Sequence, residues 1–324
     1  MNTQKRRPDA TLVAVLMGGW SVERSVSIAS GEACHKALSN AGFNAIMIDA
    51  KRETIIPVLN DLKPDVIFNA LHGKWGEDGT AAALFETLGI PYTHSGVLAS
   101  SLAMDKQRSK AVFKDAGVPV AESMVIPLED AALRHPMPVP YVVKPVAEGS
   151  SFGVHIVNRS SNGPAASILD ERHIFGDFAM VERFIPGREL TCAVMGDVAL
   201  GVIDIVSKGS FYDYDSKYAV GGSEHVLPAE IPHDIYRKCQ QYALLAHKAL
   251  GCRGVSRSDF RYDDTHLGKG ELTTHSEKGE LILLEINTQP GMTGTSLVPE
   301  LAKHSGHSFE ELVTWMVNDA SLDR

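Results

Sequence analysis

Cysteine is scarce in this 324-residue chain: four residues, Cys34, Cys192, Cys239 and Cys252, none in a CxxC pair. Such wide spacing argues against a disulfide framework or a thiolate metal site and points to reduced thiols. Positive charge is in deficit, with 31 Lys+Arg against 40 Asp+Glu and a net charge of −9. A nucleic-acid or anionic-membrane partner would favour a clustered basic surface, so neither is expected, while local basic pockets for phosphate remain open. No apolar run approaches the roughly 18 residues of a membrane span. The opening MNTQKRRPDATLVAVLMGGW sets basic residues before apolar ones, yet the apolar stretch is short, strand-like and without a small-residue cleavage site. It reads as a strand rather than an export signal, and a cytoplasmic protein is expected. Neither a GxGxxG fingerprint nor a Walker A loop is present, which lowers nicotinamide and P-loop chemistry.

Hydrophobic residues make up 44% and charged residues 22%, ordinary for a globular protein of two or three domains. Strand and helix signals alternate over the first ~100 residues, which predicts a parallel sheet. Thr11–Met17 reads as a buried strand ending in Gly18-Gly19, Ser25–Ala41 as a helix, and Ala45–Ile48 and Val66–Ala70 as strands. Thr80–Leu88 and a basic stretch, Met104–Ala116, read as helices. Beyond the proline-rich His135–Pro140 come strands at Tyr141–Lys144, Val154–Val157, Ala179–Phe184, Glu189–Met195 and Ala199–Ile205. Ser207–Ser223, rich in Gly, Ser, Tyr and Asp, reads as a closing loop. Ile231–Leu250 is an amphipathic helix, and Gly254–Arg261 and Glu280–Glu285 are strands. Lys303–His307 reads as a polar turn before a C-terminal helix, its two histidines lacking a third ligand nearby.

The last third carries the strongest chemical signal. Alternation along a strand puts Arg257 and Asp259 on one face, and likewise Glu285 and Asn287. Two carboxylates and an amide oxygen suit a hard cation completed by water and nucleotide phosphates. Leu281–Leu284 is continuously apolar up to Glu285, so a carboxylate there needs a partner; exposed polar residues on a solvent face are the bland alternative. The Pro290-Gly291 turn after Asn287 could aim backbone N–H groups at an oxyanion, though alone it is merely a turn. Arg257 could neutralise an oxyanion or phosphoryl group, or form a structural salt bridge. Lys144, followed by the small-residue loop Glu148–Gly153, could supply a charge and amides to phosphates. Glu182 and Glu189 flank Phe184-Ile185-Pro186-Gly187, a segment that could hold an adenine between domains or could be a plain strand–turn–strand.

In their order and spacing these parts resemble the D-alanine–D-alanine ligases, ATP-grasp enzymes. The resemblance runs from Val13 to about Leu312, through Gly18–Ser27, Ala70–Gly73, Met104-Asp105-Lys106 with Ser109-Lys110, Glu148–Gly153, Phe211–Tyr218, and Glu285–Thr293 with Ser296–Pro299. Trp20 and Val146-Ala147 depart from the commoner pattern, and the connection from Asp263 to Gly279 is longer than expected.

The resemblance implies an α/β chain: an N-terminal Rossmann-like substrate domain (1–100), then a two-part ATP-grasp domain. That comprises a lid subdomain (101–186) and a catalytic domain (187–324) with a mobile loop (207–223). It implies that ATP phosphorylates one D-alanine and that the amine of a second attacks the acyl phosphate, for peptidoglycan synthesis. Lys106, Lys144, Ser150 and Ser151 would contact ATP phosphates, with Glu182, Phe184 and Glu189 at adenine and ribose. Asp259, Glu285 and Asn287 would bind two Mg²⁺ ions, with Mn²⁺ as a substitute. Glu23 would receive the first ammonium, linked through Ser150 to Tyr218, and His72 would lie near that substrate. Arg257 and the Gly291 amide would face the oxyanion; Lys217 and Ser296 would hold the second carboxylate. A homodimer is implied as well. Another ATP-grasp carboxylate–amine ligase, or a non-catalytic nucleotide-binding protein, is the alternative.

Overall fold

The computed structural model describes residues 5–150, 152–161, 163–207, 223–265 and 279–323. The expected closing loop, with Lys217 and Tyr218, lies outside the described residues, as do Ser151 and most of the long connection after Asp263.

The chain opens with β1 (Leu12–Met17), α1 (Arg24–Asn40), β2 (Asn44–Asp49), α2 (Ile55–Leu62), β3 (Val66–Asn69) and α3 (Thr80–Leu88). The strands form a parallel sheet in the order β2-β1-β3, Leu12 opposite Asn44 and Val13 opposite Val66. β1 is apolar throughout because both its faces are covered. Val13 and Val15 pack into one core with Cys34 and Leu38 of α1, while Ala14 and Leu16 face a second with Leu59 of α2 and Phe85 of α3. α1 lies so close on β1 that a Cβ at Gly31 would stand 2.5 Å from Met17 Cβ. Ser27 of α1 fixes the loops at the strand ends: its Oγ accepts from Gly18 N–H (2.9 Å) and donates to the Ala70 carbonyl (2.8 Å).

The expected helix at Met104–Ala116 is α5 (Lys106–Asp115), and a helix not read from the sequence, α4 (Val97–Met104), precedes it. The chain turns extended at Asp105, whose carboxylate accepts from Arg108 N–H at 3.0 Å and starts a new helix with its first residue at Lys106. β4 (Ser123–Pro127), α6 (Leu128–Leu133), β5 (Tyr141–Pro145), β6 (His155–Val157), α7 (Arg172–Phe175) and β7 (Phe178–Arg183) follow. Their strands form an antiparallel sheet, β4-β7-β5-β6.

β8 (Arg188–Met195), β9 (Val198–Ser207), β10 (Ser223–Val226), β11 (Val255–Asp263) and β12 (Glu280–Asn287) build a second antiparallel sheet, ordered β10-β9-β8-β11-β12. The amphipathic helix is α8 (His233–Ala249), whose Ile235, Cys239, Ala243 and Ala246 cover one face of that sheet. Ala99, Ala103 and Phe113 of α4 and α5 enter this same core. α9 (Leu297–His304) and α10 (Phe309–Asp319) return to the parallel sheet, where Leu312 and Met316 join the core of Val13 and Val15. A capping box between Ser308 and Glu311 starts α10. α2 and α9 were not legible in the sequence: both are eight-residue helices with too few turns for a clear period. Among the described residues, no helix is long and apolar enough to cross a membrane.

Candidate active site

β11 and β12 are antiparallel neighbours, with Arg257 opposite Asn287 and Asp259 opposite Glu285. Ser256, Ser258 and Phe260 are buried, while Arg257, Asp259 and Arg261 alternate onto the half-exposed face. A register shift after Asp259 leaves Leu284 as the extra residue, so Leu284 and Glu285 both line the cleft between the antiparallel sheets. Arg257 grips Asp259 with two nitrogens (Nε–Oδ1 2.9 Å, Nη2–Oδ2 2.8 Å), and Thr191 Oγ1 donates to Asp259 Oδ1 at 2.7 Å. Glu285 Oε2 lies 3.3 Å from Lys106 Nζ, which donates to the Glu148 carbonyl at 2.5 Å. Asn287 Oδ1 accepts from Gln289 N–H at 2.8 Å, closing the turn that leads into Pro290-Gly291. Among the described residues no three His, Cys, Asp or Glu side chains cluster as a metal site. A cation here would therefore take oxygen from two carboxylates and the Asn287 amide, with other ligands from water and phosphate. That donor set suits Mg²⁺ rather than a thiophilic metal.

The cleft itself, about 860 Å³, is lined at one end by Lys106, Lys144, Asp259 and Glu285 and at the other by Phe184, Ile185 and Glu189. Arg261 ties the second end together, donating to the carbonyls of Ile185 (3.0 Å) and Gly187 (2.8 Å), with its guanidinium 5.9 Å from the Phe184 ring centroid. Glu182 lines the same cleft. It is buried, Lys144 Nζ donates to its Oε1 at 2.9 Å, and Lys110 Nζ pairs with its Oε2. Burial alone would push this carboxyl up in pKa, but Lys144 and Lys110 more than reverse that and hold it below the ordinary range. The Lys110 ammonium is pushed down by burial, with Glu182 opposing. Both Glu182 oxygens meet ammonium groups, and Glu189, whose Oε2 lies 3.4 Å from Arg261 Nη1, is the further carboxylate beside Phe184.

Across the loop at Glu148–Ser150, the parallel sheet contributes a second cluster. Ser150 Oγ donates to Glu23 Oε2 at 2.8 Å, with Ser150 at a left-handed φ of 52°. Glu23 sits at the N-cap of α1 but makes no side-chain cap bond, so its buried carboxylate is directed to this loop. A Cβ at Gly149 would stand 3.1 Å from Glu23 Oε1, so the loop passes close against this carboxylate. His72 lies behind Gly73 rather than on the cleft wall: Nε2 is 2.9 Å from Ser30 Oγ and Nδ1 is 3.0 Å from Glu77 Oε1. Trp20 packs on Trp75 (ring centroids 4.3 Å apart) with the Arg52 guanidinium 4.8 Å from its centroid.

Gly291 and Ser296 fall on the segment that follows β12. Ser296 Oγ accepts from Thr293 N–H at 2.9 Å and heads α9, and a Cβ at Gly291 would meet this hydroxyl at 3.0 Å. The segment hangs from the parallel sheet by Gln289, a residue sequence reasoning passed over. Its Oε1 accepts from Asn69 Nδ2 at 2.6 Å and its Nε2 donates to the Leu71 carbonyl. Lys110, Asn69, Ser30 and Glu77 were missed in the same way as site-building residues. Only Lys110 left a trace, within the matched Ser109-Lys110 pair.

Residues 112–318 match the family model described as D-ala D-ala ligase C-terminus, and residues 57–95 match that of the D-ala D-ala ligase N-terminus. D-alanine–D-alanine ligase B of Mesorhizobium japonicum is 59% identical over 313 residues, which covers 96% of this chain and 98% of that protein. The D-alanine–D-alanine ligase of Parvibaculum lavamentivorans is 58% identical over 312 residues, covering 96% and 98%. The crystal structure of a Bacillus anthracis D-alanine–D-alanine ligase complexed with ATP superposes with a TM-score of 0.78 at 27% identity, covering 96% of this chain and 97% of that one. With both family models matched and relatives aligned over nearly their full length, the chain belongs to the D-alanine–D-alanine ligase family and shares its ATP-grasp fold.

Proposed function

We propose that this protein joins two D-alanine molecules into D-alanyl-D-alanine at the expense of ATP, for peptidoglycan synthesis. The observation that carries the reading is one cleft lined together by Lys106, Lys144, Asp259 and Glu285, with Lys106 Nζ 3.3 Å from Glu285 Oε2. Its Glu148 also lines the adjoining pocket that holds Glu23. Residues 1–100 would supply the first-substrate wall, 101–186 the lid, and 187–324 the catalytic face. A homodimer and a cytoplasmic location, where ATP is abundant, belong to the same reading.

In the first step a carboxylate oxygen of one D-alanine attacks the γ-phosphorus of ATP, ADP leaves, and an acyl phosphate forms. Lys106 and Lys144 offset the phosphate charge, with the adenine in the end of the cleft held by Phe184, Ile185 and Glu189. Glu23, oriented by Ser150, accepts the ammonium of that D-alanine. Next, the free amine of the second D-alanine attacks the acyl carbon, giving a tetrahedral oxyanion that Arg257 and the Gly291 amide stabilise. Phosphate then departs and the nitrogen loses a proton, leaving the peptide bond. Ser296 would hold the second carboxylate; Lys217 and Tyr218, assigned with it by the resemblance, lie outside the described residues. Asp259, Glu285 and Asn287 would hold two Mg²⁺ or Mn²⁺ ions, which neutralise phosphate charge when bound.

The test is incubation of the pure protein with Mg-ATP and D-alanine, following phosphate and dipeptide. Equal amounts of both are expected. Phosphate without dipeptide would overturn the amine step, and product with an unrelated amino acid alone would favour another carboxylate–amine ligase.

A further inference from the structure

Ser30 lies in the middle of α1, fully buried, and touches two loops that the chain reaches far apart in sequence. Its Oγ is 2.9 Å from His72 Nε2, on the loop after β3, and accepts from the Met292 backbone N–H at 3.3 Å, next to Gly291. Donor bookkeeping orders the chain. The Met292 amide can only donate, so Ser30 accepts there with one lone pair; the Glu77 carboxylate can only accept, so a neutral His72 presents an unprotonated Nε2 that takes the Ser30 proton. His72 then carries its own proton on Nδ1, directed at the Glu77 carboxylate 3.0 Å away. This assignment satisfies every buried group in the run from Glu77 to Met292.

We infer that Ser30 is a positioning residue for the ligation step, an inference that rests on the proposed function. It locks the amide segment at Gly291–Met292 to the His72–Glu77 pair behind the first-substrate wall. The oxyanion donors are thereby placed relative to the first substrate and not only relative to the metal strand. Two other bonds from the parallel sheet, Asn69 and Leu71 to Gln289, hold the same segment at its start. Ser30 holds it by a hydrogen bond at the Gly291 end, where the Met292 side chain also packs into the core. Because the contact is with backbone at the acyl carbon and not with the nucleotide cleft, its loss should be felt in turnover more than in ATP affinity.

The test is Ser30→Ala, a change that removes one oxygen and little volume. Loss of one such bond should lower kcat by about three- to tenfold while leaving the KM for ATP within about twofold. Ser30→Cys, which keeps a weak donor in nearly the same space, should retain more of kcat than alanine. It carries the comparison alone if Ser30→Ala does not fold. In a double-mutant cycle, Ser30→Ala should add little to His72→Ala, since both cut one chain of bonds. An unchanged kcat in Ser30→Ala (or in Ser30→Cys, if only that variant folds), effects that multiply with His72→Ala, or a loss tracking only thermal stability would overturn the inference. Absence of dipeptide with the unaltered enzyme would instead overturn the function on which it rests.

Discussion

Lys144 and Glu182, on the neighbouring strands β5 and β7, form an ion pair of 2.9 Å with only 7% and 2% of their surfaces exposed. Lys110 completes the cluster from below. Three buried charges in contact tolerate the removal of one partner unequally. Glu182→Gln leaves two buried ammonium groups facing each other and should cost about 3–5 kcal/mol, the range for breaking a buried pair. Lys110→Met leaves Lys144 and Glu182 still paired and should cost clearly less. Urea unfolding at pH 7 ranks the two; a larger loss for Lys110→Met would mean that Glu182 is not the hub. Since Glu182 is held below its ordinary value near 4.5, its contribution is complete above that pH and drains away as pH falls through the folded value.

A second pH dependence sits in a different window. His247 of α8 is buried, its Nδ1 2.7 Å from Ser256 Oγ, and burial lowers its pKa from 6.5 to about 4 despite the opposing pull of Asp197. The folded protein therefore binds fewer protons than the unfolded chain between those values, so stability rises with pH through the window. It is full above 6.5 and falls by about 3 kcal/mol as the pH drops past 4. His247→Gln, which cannot titrate, should flatten this part of the stability profile measured by denaturant midpoints. A slope from pH 6.5 to 4 that survives the substitution would assign it to other groups.

Glu285→Gln should abolish turnover while the fold survives, because an amide cannot offer two charged oxygens to a cation or pair with Lys106. Circular dichroism and a phosphate-release assay check both halves, and near-normal activity at ordinary Mg²⁺ would remove Glu285 from the proposed metal set.

Arg257→Ala should lower kcat by roughly 10²–10³, the usual effect of deleting one preorganised oxyanion partner. The bidentate grip on Asp259 adds that the Mg²⁺ dependence should shift as well, since Asp259 then loses its guanidinium partner and keeps the Thr191 bond. A change confined to the thermal midpoint would leave Arg257 as a structural salt bridge.

All four cysteines are free and buried, and burial pushes the Cys252 thiol up to about 12. Thiolate is the reactive form, so the native protein should label at none of the four with an aromatic disulfide reagent at pH 8, and at all four in denaturant. Rapid native labelling of even one would contradict the packing.

What the sequence determined by itself was local or periodic. The continuous apolar run of β1, the alternation that sets Asp259 and Arg257 on one face, and the β8–β9 pair around Gly196-Asp197 all follow from the two-residue period of a strand and from turn chemistry. Glu23 and Ser150 came from ordered motifs, and their hydrogen bond closes across 127 residues. Tertiary structure alone decided the rest. The separate helix α4 and the turn at Asp105, whose carboxylate caps Lys106–Asp115, were not legible in the sequence. Only packing set two lysines, from α5 and β5, on the oxygens of Glu182. Gln289 reaches Asn69 over 220 residues of chain, and Met292 reaches Ser30 over 262. Such pairings leave no period in either segment, because they are fixed by how the parallel sheet and the antiparallel sheet pack, and buried polar groups must then find partners across that junction.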